Sequence, residues 1–268
     1  MTIHYLDPTP ENGCPILLLH GLGADSRSWS FQFSALASSG YRPIAVDLPG
    51  FGQSTSLKGR WNIAAAADQT AMWMKESGYF SIPVVGISMG GTVAMQLAIS
   101  HPEIVNSLIL VSTFACLRPR NFHTALYLLR RFVKTAMRGG TSQAEMVAWH
   151  LFPHPEQNDL RVAMLQLIQE TDPAIYKAAM RALATFDVRR NLSSIRVPAL
   201  VISGEQDTTV PLDNQRDLVE HIPGARQIII PDARHAVTAD HPDQFNAAML
   251  AFLAEVTRTS AFEIQRSQ

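Results

Sequence analysis

Residues Ile82-Pro-Val-Val-Gly-Ile-Ser88-Met-Gly-Gly-Thr-Val-Ala94 place a serine in a Gly-x-Ser-x-Gly frame. An apolar, β-branched run precedes it and a helical pattern follows, so Ser88 falls on a sharp strand-to-helix turn. Such a turn holds its central residue in a strained backbone conformation. Gly86 and Gly90 are expected because a larger side chain two residues to either side would collide across it. Ser88 Oγ would then stand clear above the sheet edge. The helix that starts near Met89 would point its first amides and positive dipole end toward that oxygen.

Working outward, short apolar runs bounded by Gly, Pro or Asp recur at Ile16 to Leu19, Ile44 to Val46, Pro83 to Val85, Leu108 to Val111, Ala199 to Ile202 and Gln227 to Ile230. They read as strands buried on both faces. Segments with helical spacing, such as Ala64 to Lys75 and Thr92 to Ile99, separate them, and that alternation predicts an α/β fold with a parallel sheet. Between about Phe114 and Arg190 no strand is evident, and helical faces follow one another: Leu126, Leu129, Val133 and Met137, then Leu160, Met164 and Leu167, then Ile175, Ala179, Leu183 and Phe186. The chain therefore divides into a core of residues 1–113 and 191–268 and a helical insert of 114–190. Trp149 and Phe152 are expected on the insert's inner face. Arg118, Arg120, Arg130, Arg131, Lys134 and Arg138 make the start of the insert basic, which reads as a solvated helix face rather than a binding surface. Apolar periodicity fades from Thr257 to Gln268, predicting a frayed end.

Composition limits the function. Of 268 residues 47% are apolar and 17% charged, enough for a large core and unlike a disordered chain. Twenty-two basic against twenty-three acidic residues leave a net charge of −1, so nucleic acid is not an expected partner. No apolar run approaches the length of a membrane span. Cys14 and Cys116 form no metal-binding spacing, and Met1 to Asn12 lacks the features of a signal peptide, which together predict a reducing cytoplasm.

A serine hydroxyl needs a base, and the base needs a carboxylate to orient it. Functional residues of α/β sheets gather beyond the carboxyl ends of strands, which selects among the nine histidines. His235 follows Gln227 to Ile230 by the short loop Pro231-Asp-Ala-Arg and is the expected base. His20 reads as part of a Gly-containing loop, and His101 and His241 as residues at helix boundaries. His150 and His154 are interrupted by Pro153 and form no His-Glu-x-x-His pattern, so no metal site is expected. Asp207, in the loop after Ala199 to Ile202, is the expected acid. Glu205 is its nearest competitor, and Asp232 reads as a turn residue. No acidic residue occurs between Glu103 and Glu145, which excludes an acid after the Leu108 strand. Backbone amides aimed at a developing oxyanion are expected at Met89 and at Leu22, where Gly21 and Gly23 permit a close approach.

Taken together, His20-Gly-Leu-Gly, Asp47-Leu-Pro-Gly-Phe-Gly-Gln-Ser54, Gly86-Ile-Ser-Met-Gly-Gly91, Gly204-Glu-Gln-Asp207 and the His235 loop resemble the α/β-hydrolase superfamily over nearly the whole chain. The order Ser88, Asp207, His235 is that fold's order of nucleophile, acid and base. The resemblance implies an eight-stranded, mostly parallel sheet, a helical cap after the sixth strand and no cofactor. It also makes Asp47 to Ser54 a structural turn. Dehalogenases and epoxide hydrolases of this fold use an aspartate nucleophile, which Ser88 replaces. Hydrolases that cleave carbon–carbon bonds of meta-cleavage products carry Asn before the serine and Trp two residues after the histidine, where this chain has Ile87 and Val237. The nearest resemblance is to small bacterial carboxylesterases and lactonases, including the 3-oxoadipate enol-lactonase group, which implies a small ester or lactone substrate. Cofactor-free haloperoxidases share the same core residues. A non-catalytic ligand receptor on this fold would lack a member of the set found here, or keep it and turn over slowly.

Overall fold

The computed structural model describes residues 2–10, 13–117, 125–126 and 141–266. Strands β1 (Tyr5–Leu6), β2 (Cys14–Leu19), β3 (Tyr41–Val46), β4 (Ile82–Ile87), β5 (Val105–Val111), β6 (Ala199–Gly204) and β7 (Arg226–Ile230) form one sheet in the order β1-β3-β2-β4-β5-β6-β7. All neighbours run parallel except β1, which pairs antiparallel with β3.

Each of the six apolar runs lies within a strand, and in β2 to β6 the twofold alternation of side chains between two covered faces explains why they are apolar throughout, whereas β7, at the sheet edge, leaves Ile228 and Ile229 exposed instead of buried. Leu17 and Leu19 face one side of β2 while Ile16 and Leu18 face the other, and the same division splits Val84 from Val85 and Leu108 from Ile109. On the first side lie α2 (Ile63–Glu76), α3 (Met89–Ser100) and α7 (Leu212–His221); on the second lie α1 (Ser30–Ser38) and α9 (Pro242–Arg266), with the short α8 (Val237–Asp240) before it. Ile16 to Leu19 have no exposed surface, and each contributes about 1.5 to 3 kcal/mol of apolar burial.

Between β5 and β6 the described residues form α4 (Thr141–Leu151), α5 (Asn158–Glu170) and α6 (Pro173–Thr185). The entry and exit of this segment meet: Cys116 bridges Asp187, and Val188 N–H donates to Ala115 O at 3.0 Å. Ile168 and Tyr176 pack over Gly23, and Ile175 over Gly50, so these helices cover loops at the carboxyl end of the sheet. Arg27, held by Asp25, also pairs with Glu170 of α5.

Three expectations change. The sheet of the described residues has seven strands, not eight. Ahead of Cys14 one two-residue strand reaches β3, and Pro8 and Pro10, which lack amide donors, follow it directly. The helical conformation does not end where apolar periodicity fades at Thr257, because α9 runs to Arg266. Trp149 does not turn inward: it is 57% exposed, with the Arg161 guanidinium 3.9 Å from its ring centroid. Leu126 is among the described residues, whereas Leu129, Val133 and Met137, the basic positions Arg118, Arg120, Arg130, Arg131, Lys134 and Arg138, and the last two residues lie outside them. Among the described residues no helix is long and apolar enough to cross a membrane.

Candidate active site

The chain leaves β2 toward β3 on one side, and β4 leads to β5 on the other, so the carboxyl ends of β2 and β4 flank the point where the winding reverses. Ligands of open α/β sheets bind at such a point. Leu19 pairs with Gly86, which sets the His20-Gly-Leu-Gly loop beside Ser88. A Cβ on Gly21 would stand 3.7 Å from that of Ser88.

Ser88 has φ +53° and ψ −113°, a conformation rare for a residue with a side chain. Its surroundings hold it there. Ser88 N–H donates to Val111 O at 2.9 Å, and Ser88 O accepts from Thr113 Oγ1 at 2.7 Å and from Thr92 N–H at 3.2 Å. A Cβ on Gly86 would lie 2.3 Å from Gly90 O, as the turn demands. The obstacle to one on Gly90 is instead the end of β2, with Leu19 O at 2.0 Å.

Asp207 and His235 come from the loops after β6 and β7, which are stitched together. Gln206 N–H donates to Ala233 O at 2.8 Å and Glu205 N–H to Ile230 O at 3.0 Å. The structure brings the three expected residues into one chain. His235 Nε2 lies 3.1 Å from Ser88 Oγ, and His235 Nδ1 lies 2.9 Å from Asp207 Oδ2. Asp207 Oδ1 accepts the N–H groups of Thr209 and Val210, both at 2.9 Å. Since a carboxylate only accepts, Nδ1 carries the ring proton and Nε2 faces the serine as acceptor. The competing acids are turned elsewhere: Glu205 accepts Asp232 N–H at 3.1 Å, and Asp232 sits at φ +59° in that turn.

Met89 N–H, at the first position of α3, has no acceptor within its helix. Leu22 N–H likewise meets no acceptor among the described residues. The Leu22 loop is fixed by His20, whose Nδ1 donates to Gly21 O at 2.8 Å and whose Nε2 accepts Leu48 N–H at 2.9 Å. The bond from Leu48 requires an unprotonated Nε2, and burial pushes the His20 pKa below its ordinary value against the opposing bond to Gly21 O. Because the folded protein resists protonation there, stability is complete above pH 6.5 and falls as the pH drops below it, by at most about 1.4 kcal/mol per unit. Urea unfolding between pH 7.5 and 5.5 is expected to lose that increment of slope in His20→Gln; parallel slopes for the two proteins would contradict it. Asp47 is structural. Its burial is outweighed by the N–H groups of Gln53 and Ser26, each at 2.8 Å, which leave its pKa lowered.

A cavity of about 100 Å³ opens over Ser88 and His235. Leu22, Val147, Leu151, Phe152 and Met164 make it apolar, and Ser28, Thr209 and Thr238 add hydroxyls. Among the described lining residues none is Asp, Glu, Lys or Arg. Phe152 was expected on the insert's inner face. Met164 was read only as part of an apolar helix face, and Val147 and Leu151 were not singled out, because apolar spacing marks which face of a helix is buried but not what it is buried against. No group of three or more potential metal ligands occurs among the described residues.

A reversing parallel sheet with a strained serine after a central strand, and a histidine and an aspartate after its later strands, defines a hydrolase fold of the nucleophile-elbow type. The family description "alpha/beta hydrolase fold" matches residues 15–242, and the chain belongs to that family. It is 32% identical over 249 residues to a pimeloyl-[acyl-carrier protein] methyl ester esterase of Aeromonas hydrophila, covering 87% of this chain and 92% of that one. It is also 32% identical over 251 residues to a proposed carbamate hydrolase, RutD, of Caulobacter sp. strain K31, covering 89% and 90%. Among solved structures, the enol-lactonase of Burkholderia xenovorans LB400 superposes with a TM-score of 0.84 at 26% identity, covering 94% of this chain and 96% of that one.

Proposed function

We propose that the protein hydrolyses small carboxylic esters or lactones through an acyl-enzyme on Ser88. In this reading His235 takes the Ser88 proton as Oγ attacks the carbonyl carbon, and returns it to the departing alkoxide. Asp207 keeps the imidazole in the Nδ1–H tautomer and offsets its positive charge. The amides of Leu22 and Met89 receive the oxyanion of the tetrahedral intermediate. A water activated by His235 then releases the acid. Residues 114–190 act as a cap, whose described residues Val147, Leu151, Phe152 and Met164 supply the apolar wall of the acyl pocket.

The observation that carries this reading is the unbroken hydrogen-bonded line from Asp207 through His235 to Ser88, ending under an apolar cavity. The names of the three similar proteins add support, since ester, carbamate and lactone all offer a carbonyl carbon bearing a heteroatom leaving group. The absence of charged side chains from the described lining favours a neutral acyl group over one bearing a carboxylate.

The test is a series of p-nitrophenyl esters from acetyl to decanoyl, with a panel of lactones and a meta-cleavage dienoate alongside. Because the cavity is far smaller than the roughly 300 Å³ of common ligand pockets, kcat/KM is expected to fall at least about tenfold between butanoyl and decanoyl. Cleavage of the dienoate with no turnover of esters or lactones would transfer the protein to the carbon–carbon hydrolases.

A further inference from the structure

Gln215, on α7, has no exposed surface. A buried amide is tolerated where its donors and acceptor are all used, and here they are. Val210 O and the Asp207 carboxylate only accept, so the amide nitrogen must face them. Gln215 Nε2 donates to Val210 O at 2.8 Å and to Asp207 Oδ2 at 3.3 Å. The amide oxygen turns toward β6 and accepts from Ser203 Oγ at 2.7 Å, and Ser203 Oγ accepts from Gln227 Nε2 at 2.9 Å. A line of hydrogen bonds thus runs from β7 through β6 and α7 to the carboxylate oxygen that faces His235.

We propose that Gln215 is a positioning residue, which keeps Asp207 Oδ2 in line with His235 Nδ1 and withdraws part of that oxygen's charge. The proposal rests on the hydrolase reading above for its kinetic consequences but not for its geometry. Asp207 Oδ1 is taken up by two backbone amides, so the setting of Oδ2 depends on His235 and Gln215. Asp207 is the charged group hydrogen-bonded to His235 among the described residues. The other titratable groups around these loops are Glu205 and Asp232, turned into their own turn, Arg234 beside His235, Asp240 accepting Arg234 N–H, His241 against Asp240, and His150 of α4 at Thr208. Without the amide donor, Oδ2 presents more charge to the ring and favours its protonated form. The acid limb of the pH–rate profile must then move to higher pH.

Gln215→Met keeps the length of the side chain and removes the amide. It is expected to lower kcat about tenfold with KM within about twofold, and to move the acid limb of kcat/KM up by about half a pH unit. The downfield Nδ1–H proton resonance of His235, titrated without substrate, should shift its midpoint in the same direction. Ser203→Ala, which frees the Gln215 amide while sparing the helix, should give a smaller shift of the same sign and serves if Gln215→Met does not fold. Titrations that superimpose on wild type, or move to lower pH, would overturn the proposal and leave Gln215 a packing residue. A shifted resonance in a protein that hydrolyses no ester or lactone would retain the positioning role and remove the hydrolase reading instead.

Discussion

Ser88→Ala is expected to lower kcat by about 10⁴-fold or more while the protein remains folded. His235 Nε2 lies 3.1 Å from this oxygen, and Ser88 stands directly before the first amide of α3 and beside the Leu22 loop. Alanine retains the Cβ and makes no new contact. The backbone bonds of residue 88 to Val111, Thr113 and Thr92 do not involve the hydroxyl, so the turn persists. In the proposed mechanism the residual rate reflects substrate held against the two amides, with water attacking directly. Steady-state kinetics on the preferred p-nitrophenyl ester, with thermal unfolding as the control for folding, check this. Turnover within tenfold of wild type would remove Ser88 from the reaction.

Gly90→Ala is expected to cost about 3 kcal/mol or more, lowering Tm on the order of 10 °C, and to abolish activity as well. The added methyl group would stand 2.0 Å from Leu19 O and 2.5 Å from its carbonyl carbon. Both are backbone atoms of a strand fixed on either side by β3 and β4, so neither can yield without moving the His20 loop. Gly224→Ala is the control. It has φ +71° with nothing within 4 Å of a built Cβ, so it meets backbone strain alone and costs about 1 kcal/mol. Equal Tm losses in the two variants would show that the close approach at Gly90 is not what matters.

These two positions also show how the sequence carries the site. Ser88 and Gly86 were legible because the turn is a local stereochemical demand, written within five residues, whereas Gly90 was expected for that reason but is required by the approach of Leu19 at the end of β2. Asp207 and His235 were legible through a rule of topology, that loops at the carboxyl ends of parallel strands share one edge, and the stitched β6 and β7 loops obey it. Strands β2 to β6 could be read because burial on both faces leaves unbroken apolar runs, and β7 because its isoleucines continue the pattern although Ile228 and Ile229 are exposed at the sheet edge. Tyr5–Leu6 could not be, since two residues carry no periodicity and their strand exists by pairing with Val46 and Ala45. Trp149 misleads for a related reason: an aromatic in an apolar segment suggests an inward face, yet Arg161 offers its ring a partner outside the cavity. Gln215 reads in the sequence as one more polar residue of an exposed helix. Its role depends on Ser203, twelve residues earlier on another element, a relation that only the fold creates.

The central claim is that an acyl group passes through Ser88, and the most direct measurement is the mass of the protein quenched during turnover of a slowly hydrolysed p-nitrophenyl ester. Wild type is expected to carry one acyl group, located by peptide mapping on Ser88, and Ser88→Ala none. An unmodified wild-type protein at full turnover, or an adduct on another residue that Ser88→Ala retains, would contradict the account.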